Sequence, residues 1–170
     1  MRVLGPDTAD IRVFTYKEGL LSKVAHDLEL RVGRFEIAVD PNTGSVRARI
    51  EARSLEVVNA LRNGVQDPNM LTPSNKAEIL DNLRKDVLHT DKWTSIVFES
   101  TSVSDTLVTG RLSLHGITRE IQVTVRQEAD ARVGEVRLDQ RDFGIRPYSA
   151  MLGALKVQPE VLVRVRMPLV

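Results

Sequence analysis

The sequence predicts an all-β fold: an antiparallel β-barrel of about eight strands, closed around an apolar interior, with one inserted α-helix. Three observations predict it. Apolar and polar residues alternate with a period of two in several separate segments, turn-forming residues divide these segments, and one stretch has helical spacing instead. A chain of 170 residues fits one domain, so residues 1–170 are interpreted as a single barrel domain.

The alternation is clearest from Val46 to Arg53, where apolar residues take the even positions and charged residues take the odd ones. Segments 121–126, 135–139 and 161–166 repeat a similar pattern. A strand with one apolar and one polar face is typical of an antiparallel sheet. Because the pattern recurs far apart in sequence and the polar faces are charged, we expect the sheet to close.

Turn residues and one change of register mark the strand ends. Segment 40–44, Asp-Pro-Asn-Thr-Gly, closes a predicted hairpin, and Ser104–Asp105, His115–Gly116 and 129–132 make further breaks. Apolar positions are even-numbered before Gly33 and odd-numbered after it. A regular strand cannot keep both sets on one face, so we predict a bulge or sharp bend at Gly33.

One segment, Pro73 to Leu88, departs from the β pattern. Either Thr72 or Ser74 can cap a helix there, and proline suits its first turn. The preceding segment, 59–71, is polar and irregular, and we expect it to be a loop. Helical spacing relates the apolar residues Ile79, Leu80, Leu83 and Val87.

Composition excludes several classes of function. The chain has 24 Lys and Arg against 23 Asp and Glu, so charge gives no argument for a nucleic-acid partner. It has no cysteine, which excludes disulfides and thiolate chemistry. Residues 1–10 contain no long apolar run, so no signal peptide or membrane anchor is predicted there. The expected location is the cytoplasm, or the periplasm if a leader has been removed.

Four motifs, in this order and spacing, resemble the YceI-like family of lipocalin-like barrels associated with polyisoprenoid or lipid binding. The resemblance extends from about Phe14 to the end of the chain. It implies an eight-stranded antiparallel barrel with an apolar lumen, and hence an isoprenoid or other lipid as ligand. The matching stretches are 23–28 with 33–35, 86–100 (Asp-Val-Leu through Trp93 to Ile-Val-Phe-Glu-Ser), 108–118 and 140–145.

Strand parity and the resemblance together indicate which residues line the lumen. Aromatic residues are only 4% of the chain, which favours an aliphatic wall and a flexible hydrocarbon ligand over a planar ring system. The candidate lining residues are Phe14, Phe35, Ile37, Ile50, Phe98, Leu112, Leu114, Val123, Leu138, Phe143 and Val163.

Two polar residues are candidate contacts for the ligand's head group. His26 precedes a predicted strand and lies in a resembling motif, although an orienting hydrogen bond within the fold is the favoured role for it. Arg141 offers a planar fork for phosphate or carboxylate, although a structural ion pair at a strand end is the favoured interpretation. Segment 146–157 contains apolar residues that do not alternate, and we expect Met151 and Leu152 to cover one opening as a lid. The alternative is a loop that packs against an external groove or a dimer partner.

No catalytic motif is present, so the chain is not expected to be an enzyme. Its histidines, His26, His89 and His115, have no paired spacing, and neither a metal site nor a cofactor is predicted. The predicted function is noncovalent storage, transport or sequestration of an apolar molecule, without a nucleic-acid partner or membrane-spanning segment. Two alternatives stay open: an enzyme of small molecules using a lumen histidine or arginine, and an interaction module with a filled barrel. A homodimer also stays open.

Overall fold

The computed structural model describes residues 1–18, 26–150, 153 and 155–169. Within these residues the chain forms fourteen β-strands and one α-helix, α1 (Pro73–Asn82). In chain order the strands are β1 (Arg2–Leu4), β2 (Asp10–Thr15), β3 (Asp27–Val32), β4 (Phe35–Val39), β5 (Val46–Glu51), β6 (Leu55–Arg62), β7 (Val65–Asp67), β8 (Ser95–Val103), β9 (Leu107–Leu114), β10 (Ile117–Glu128), β11 (Ala131–Asp139), β12 (Ser149–Ala150), β13 (Leu155–Lys156) and β14 (Glu160–Pro168).

Twelve strands pair antiparallel in one curled sheet, in the order β1-β4-β5-β8-β9-β10-β11-β14-β2-β3-β6-β7. Strands β12 and β13 form a separate two-stranded ribbon. The prediction of an all-β antiparallel fold with one helix is confirmed. The prediction of a closed barrel of about eight strands is wrong, because the sheet is a curled half-barrel of twelve strands. Bends divide long alternating runs into two strands each, and the short strands β1 and β7 are added at the ends of the order.

The predicted bend at Gly33 is confirmed. Gly33 and Arg34 separate β3 from β4, and a 3-10 turn at Ala52–Ser54 separates β5 from β6 beside them. The Gly33 N–H donates to the Ser54 carbonyl at 2.8 Å, and the Arg34 N–H donates to Ser54 Oγ at 2.9 Å. A Cβ at Gly33 would lie 3.0 Å from that carbonyl oxygen, so glycine permits the two bends to pack together.

The loop predicted over residues 59–71 is wrong in its first half. These residues complete β6 and form β7, joined by a two-residue turn at Asn63–Gly64. Both turn residues have positive φ, 51° and 79°, as a type I′ hairpin requires. Asn-Gly is a strong hairpin signal, and here the polar composition around it obscured the pairing.

Helix α1 begins where the sequence predicts. Thr72 caps it, because the Asn75 N–H donates to Thr72 Oγ1 at 3.1 Å while the Thr72 N–H donates to Asn75 Oδ1 at 3.0 Å. The helix continues into one π-turn at Leu83–Val87, closed by the Leu88 N–H donating to the Leu83 carbonyl. Such turns often occur at functional sites, and this one contributes to the cavity described below.

Two apolar clusters form the core. The first gathers buried residues of β1 to β6, including Leu4 and Ile37, and the second centres on Phe143, which is 2% exposed. Leu83, Phe98 and Val163 are packed against both clusters. The two clusters therefore meet through side chains of the sheet and of the π-turn. None of the helices among the described residues is long and apolar enough to cross a membrane.

Candidate ligand-binding site

An apolar cavity of about 260 Å³ lies inside the curled sheet. Strands β2 to β6 and β8 to β11 contribute to its wall, together with β14 and the π-turn. The wall is dominated by valine, leucine and isoleucine, which alternate along each strand with residues of the outer face. The interior can therefore hold an apolar group and offers few hydrogen bonds to one.

Strand parity places most of the predicted lining residues at this wall. On β10, for example, Val123 lines the cavity while Gln122 and Thr124 are exposed. The same alternation holds on the other strands. The predicted residues that the structure places at the wall are Ile37, Ile50, Phe98, Leu112, Leu114, Val123, Leu138 and Val163.

Three predicted aromatic residues do not line the cavity. Phe14 has the parity opposite to Val13, which lines the cavity, and the Arg164 guanidinium lies 4.9 Å from its ring centroid. Phe35, the first residue after the bend, packs against the first core cluster. Phe143 is buried in the second cluster as a plug of the core. Parity excludes Phe14 from the wall, whereas Phe35 shares the parity of Ile37 and Phe143 lies in a 3-10 turn, so packing places these two in the core instead.

Neither polar candidate reaches the cavity wall. His26 is half-buried beside β3, where burial lowers its pKa and the charges of Lys17 and Arg62 lower it further, against the opposing effect of Asp27. Arg141 is exposed.

Arg141 is paired with Asp139: its Nε donates to Asp139 Oδ1 at 3.0 Å and its Nη2 donates to Asp139 Oδ2 at 2.7 Å. These hydrogen bonds lower the pKa of Asp139. Arg141 therefore has the structural ion pair that was the alternative to a head-group contact.

The lid residues Met151 and Leu152 lie outside the described residues. Their flanks form the ribbon of β12 and β13, and the Val157 N–H donates to the Tyr148 carbonyl at 3.1 Å beside it. Within this ribbon Ser149 pairs with Lys156.

The sequence analysis missed the polar members of the wall: Thr15, Arg132 and Gln140. Arg132 is the one charged residue among the described wall residues, and it shares the inward parity of Gly134. Gln140 donates from Nε2 to the Gln158 carbonyl at 3.1 Å, whereas Thr15 Oγ1 is buried without a hydrogen-bond partner in the described structure. Thr15 could have been found from its alternation with Ile11 and Val13.

The π-turn is a second contribution that the sequence analysis did not assign. Leu83, Val87 and Leu88 line the cavity beside Phe98 and Ile96 of β8. The helical spacing had identified an apolar face but not the surface that it covers. Here that face completes the cavity wall.

Two of the three histidines are in contact, although their spacing in the sequence did not indicate a pair. His89 Nδ1 lies 3.0 Å from His115 Nε2, outside the cavity wall, while His26 lies elsewhere. Their sequence separation gave no sign of this contact. Among the described residues, no group of three or more His, Cys, Asp or Glu side chains is arranged to hold a metal ion.

The sequence profile of the YceI-like domain matches residues 6–169. The chain belongs to the YceI-like family. No curated protein matches it in sequence.

Two solved structures share the fold. BcnA from Burkholderia cenocepacia is 15% identical, with a TM-score of 0.65, over 95% of this chain and 96% of that one. A domain from Saccharophagus degradans, described as polyisoprenoid binding and implicated in plant cell wall breakdown, is 11% identical, with a TM-score of 0.57, over 97% and 98%. At these identities the likeness establishes the fold of this YceI-like chain.

Proposed function

We propose that this YceI-like chain binds an apolar molecule of the lipid or isoprenoid class noncovalently in its cavity, to store, transport or sequester it. The observation that carries the proposal is the cavity itself, walled by aliphatic side chains from ten strands and the π-turn. Burial of apolar ligand surface there contributes about 25 cal/mol per Å² before the costs of ordering. The family and the polyisoprenoid-binding neighbour support the ligand class.

The wall favours binding over catalysis. Of its polar members, only Arg132 carries a charge, and the half-buried His26 lies outside it. General acid–base chemistry needs a titratable group within hydrogen-bond reach of the reacting atoms. The proposed role is therefore a binding role without a chemical step.

Binding is tested with the neutral fluorescent probe N-phenyl-1-naphthylamine on delipidated protein. The wild type should bind it with a saturable increase in fluorescence. Val123→Phe, which extends a ring into the cavity, should reduce the affinity at least about tenfold. The matched control is Thr124→Phe, since the neighbouring side chain is exposed on the same strand.

Native mass spectrometry of the protein as purified, followed by lipid extraction, identifies any passenger. An apolar passenger lost in Val123→Phe supports the proposal. A wild-type protein that takes up neither the probe nor added farnesol would contradict it and would favour the alternative of a filled interior. The cavity volume of about 260 Å³ lies near the lower end of known ligand pockets. Uptake of the probe or of farnesol therefore decides between a cavity that binds a ligand and a filled interior.

A further inference from the structure

A second concave surface lies outside the cavity, between the turn that follows α1 and the β9–β10 hairpin. This groove has a volume of about 450 Å³. It is defined by the basic residues Arg84, Lys85 and Lys92, the paired histidines His89 and His115, and the residues Asp91 and Trp93.

Hydrogen bonds fix the protonation pattern of the two histidines. His115 Nδ1 lies 3.1 Å from the Phe143 carbonyl oxygen, which only accepts, so this nitrogen carries the proton. Nε2 of neutral His115 is then an acceptor, and His89 donates to it from Nδ1 at 3.0 Å. Nε2 of His89 is left as the position that can gain a proton without breaking either bond.

The backbone also holds both histidines in an unusual conformation. His89 has φ 49° and His115 has φ 53°, which is the left-handed region. At His115 this is the first position of the two-residue turn between β9 and β10, where a type I′ hairpin requires positive φ. Gly116, with φ 77°, follows, and a Cβ there would lie 2.5 Å from the Trp93 ring. The hairpin, the indole and the two imidazoles are therefore packed together as one rigid wall.

The charges of the groove favour an anion. Three basic side chains and two histidines face one carboxylate, Asp91, whose side chain is 97% exposed and 3.9 Å from Arg53. Lys85 is paired with Asp81 at 3.0 Å. Arg84 Nε is buried and has no hydrogen-bond partner within the described structure. A buried unpaired donor on a cation is costly, and the same arginine lines the groove, where its positive charge favours an anion.

We propose that this groove binds an oxyanion of the phosphate class. Arg84 and Lys92 supply positive charge, and His89 faces the anion with its Nε2. The proposal goes beyond the cavity and does not depend on its ligand. However, the same turn contributes Leu83, Val87 and Leu88 to the cavity wall. The groove and the cavity therefore lie on opposite sides of this turn. Both free phosphate and the phosphate of a lipid head group present this chemistry.

Trp93 is the single tryptophan of the chain, so its fluorescence reports on the groove. Sodium phosphate is titrated at constant ionic strength against sodium chloride, and a saturable response to phosphate alone is expected. His89→Gln and Lys92→Gln, both at exposed positions, should each weaken binding at least about tenfold, as should Arg84→Gln. Arg111→Gln, exposed on β9 outside the groove, is the matched control and should leave binding unchanged.

Dodecyl phosphate, compared with dodecanol, identifies the source of the anion. Binding of dodecyl phosphate tighter than that of phosphate, and lost in Val123→Phe, would assign a lipid head group, whereas equal affinity would assign free phosphate. A response equal to that of chloride would overturn the proposal. So would full affinity in His89→Gln and Lys92→Gln, or binding of Zn²⁺ at both histidines without any response to phosphate. Failure of the cavity to bind its neutral probe leaves the phosphate titrations of the wild type and of the groove variants unaffected.

Discussion

The ring of Phe98 on β8 fills the space beside Gly110 on β9. A Cβ built at Gly110 would lie 2.5 Å from Phe98 Cε2, and Gly110 is buried. The glycine thus lets a large side chain lie against the backbone of the next strand and project into the cavity. This contact explains why Phe98 is the one predicted aromatic residue that reaches the wall.

Gly110→Ala should therefore destabilise the fold by about 1–3 kcal/mol, because the ring and the neighbouring backbone must shift. Urea unfolding measures this change. The control is the same substitution in a Phe98→Leu background, where the smaller side chain should reduce the cost by at least about 0.5 kcal/mol. Strictly additive effects of the two substitutions would show that the ring does not determine the need for glycine.

Thr72→Ala should remove the helix cap and cost about 1 kcal/mol of stability. Because α1 leads into the π-turn that lines the cavity, affinity for N-phenyl-1-naphthylamine should fall as well. Ser74→Ala is the matched control: Ser74 was the alternative cap, and Thr72 has the capping hydrogen bonds instead. An equal loss of stability in both variants would mean that the cap does not secure this helix.

The wall residues could be predicted because apolar residues at every second position of a strand all lie on the same face, and that face is the buried one. The shift of parity at Gly33 predicted a bend for the same reason. The number of strands could not be predicted, since a bend that hydrogen-bonds to its neighbour divides one alternating run into two strands. Nor could Phe14 be excluded by its residue type: its ring lies under Arg164 on the outer face.

Contacts between distant turns carried no local signal. His89 and His115 meet because two left-handed turns, one after the π-turn and one at a hairpin, come together in the folded chain. Neither spacing nor composition encodes that distance. The inward position of Arg132 was also missed, because a charged residue interrupts the apolar pattern that identifies a wall.

Glu135 joins two arginines on the outer face of the sheet. Its Oε1 accepts from Arg126 Nη1 and from Arg164 Nε, both at 2.9 Å. Burial raises the pKa of Glu135, but the hydrogen bonds from the two arginines outweigh this effect and hold it below the ordinary value of 4.5. Its stabilising contribution is thus complete above about pH 4.5 and is lost as the pH falls through the lowered pKa.

Glu135→Gln should cost about 1 kcal/mol at neutral pH, and its difference from the wild type should shrink below that pH. Urea unfolding at a series of pH values measures both effects. Glu99→Gln, which removes a single exposed pair with Arg47, should change stability by less than about 0.5 kcal/mol. A constant difference between Glu135→Gln and the wild type at all pH values would contradict the assignment.

Thr15→Val should stabilise the ligand-free protein by about 1 kcal/mol. Thr15 Oγ1 is buried at the cavity wall without a hydrogen-bond partner in the described structure, so its hydroxyl remains desolvated and unpaired. Valine has nearly the same shape and removes that cost. Thermal unfolding of delipidated protein measures the change, and Thr106→Val at an exposed position should stay within about 0.5 kcal/mol of the wild type.

The same substitution distinguishes two uses of the hydroxyl. If it serves only as wall, Thr15→Val should bind farnesol and the hydrocarbon farnesene as tightly as the wild type or more tightly. If it hydrogen-bonds the polar end of a ligand, affinity for farnesol should fall about fivefold or more while affinity for farnesene is kept. The buried position favours the second result, because an unpaired hydroxyl inside an apolar wall gains most from a ligand that completes its hydrogen bond. A destabilised Thr15→Val protein would show that the hydroxyl is already satisfied, for instance by a bound water.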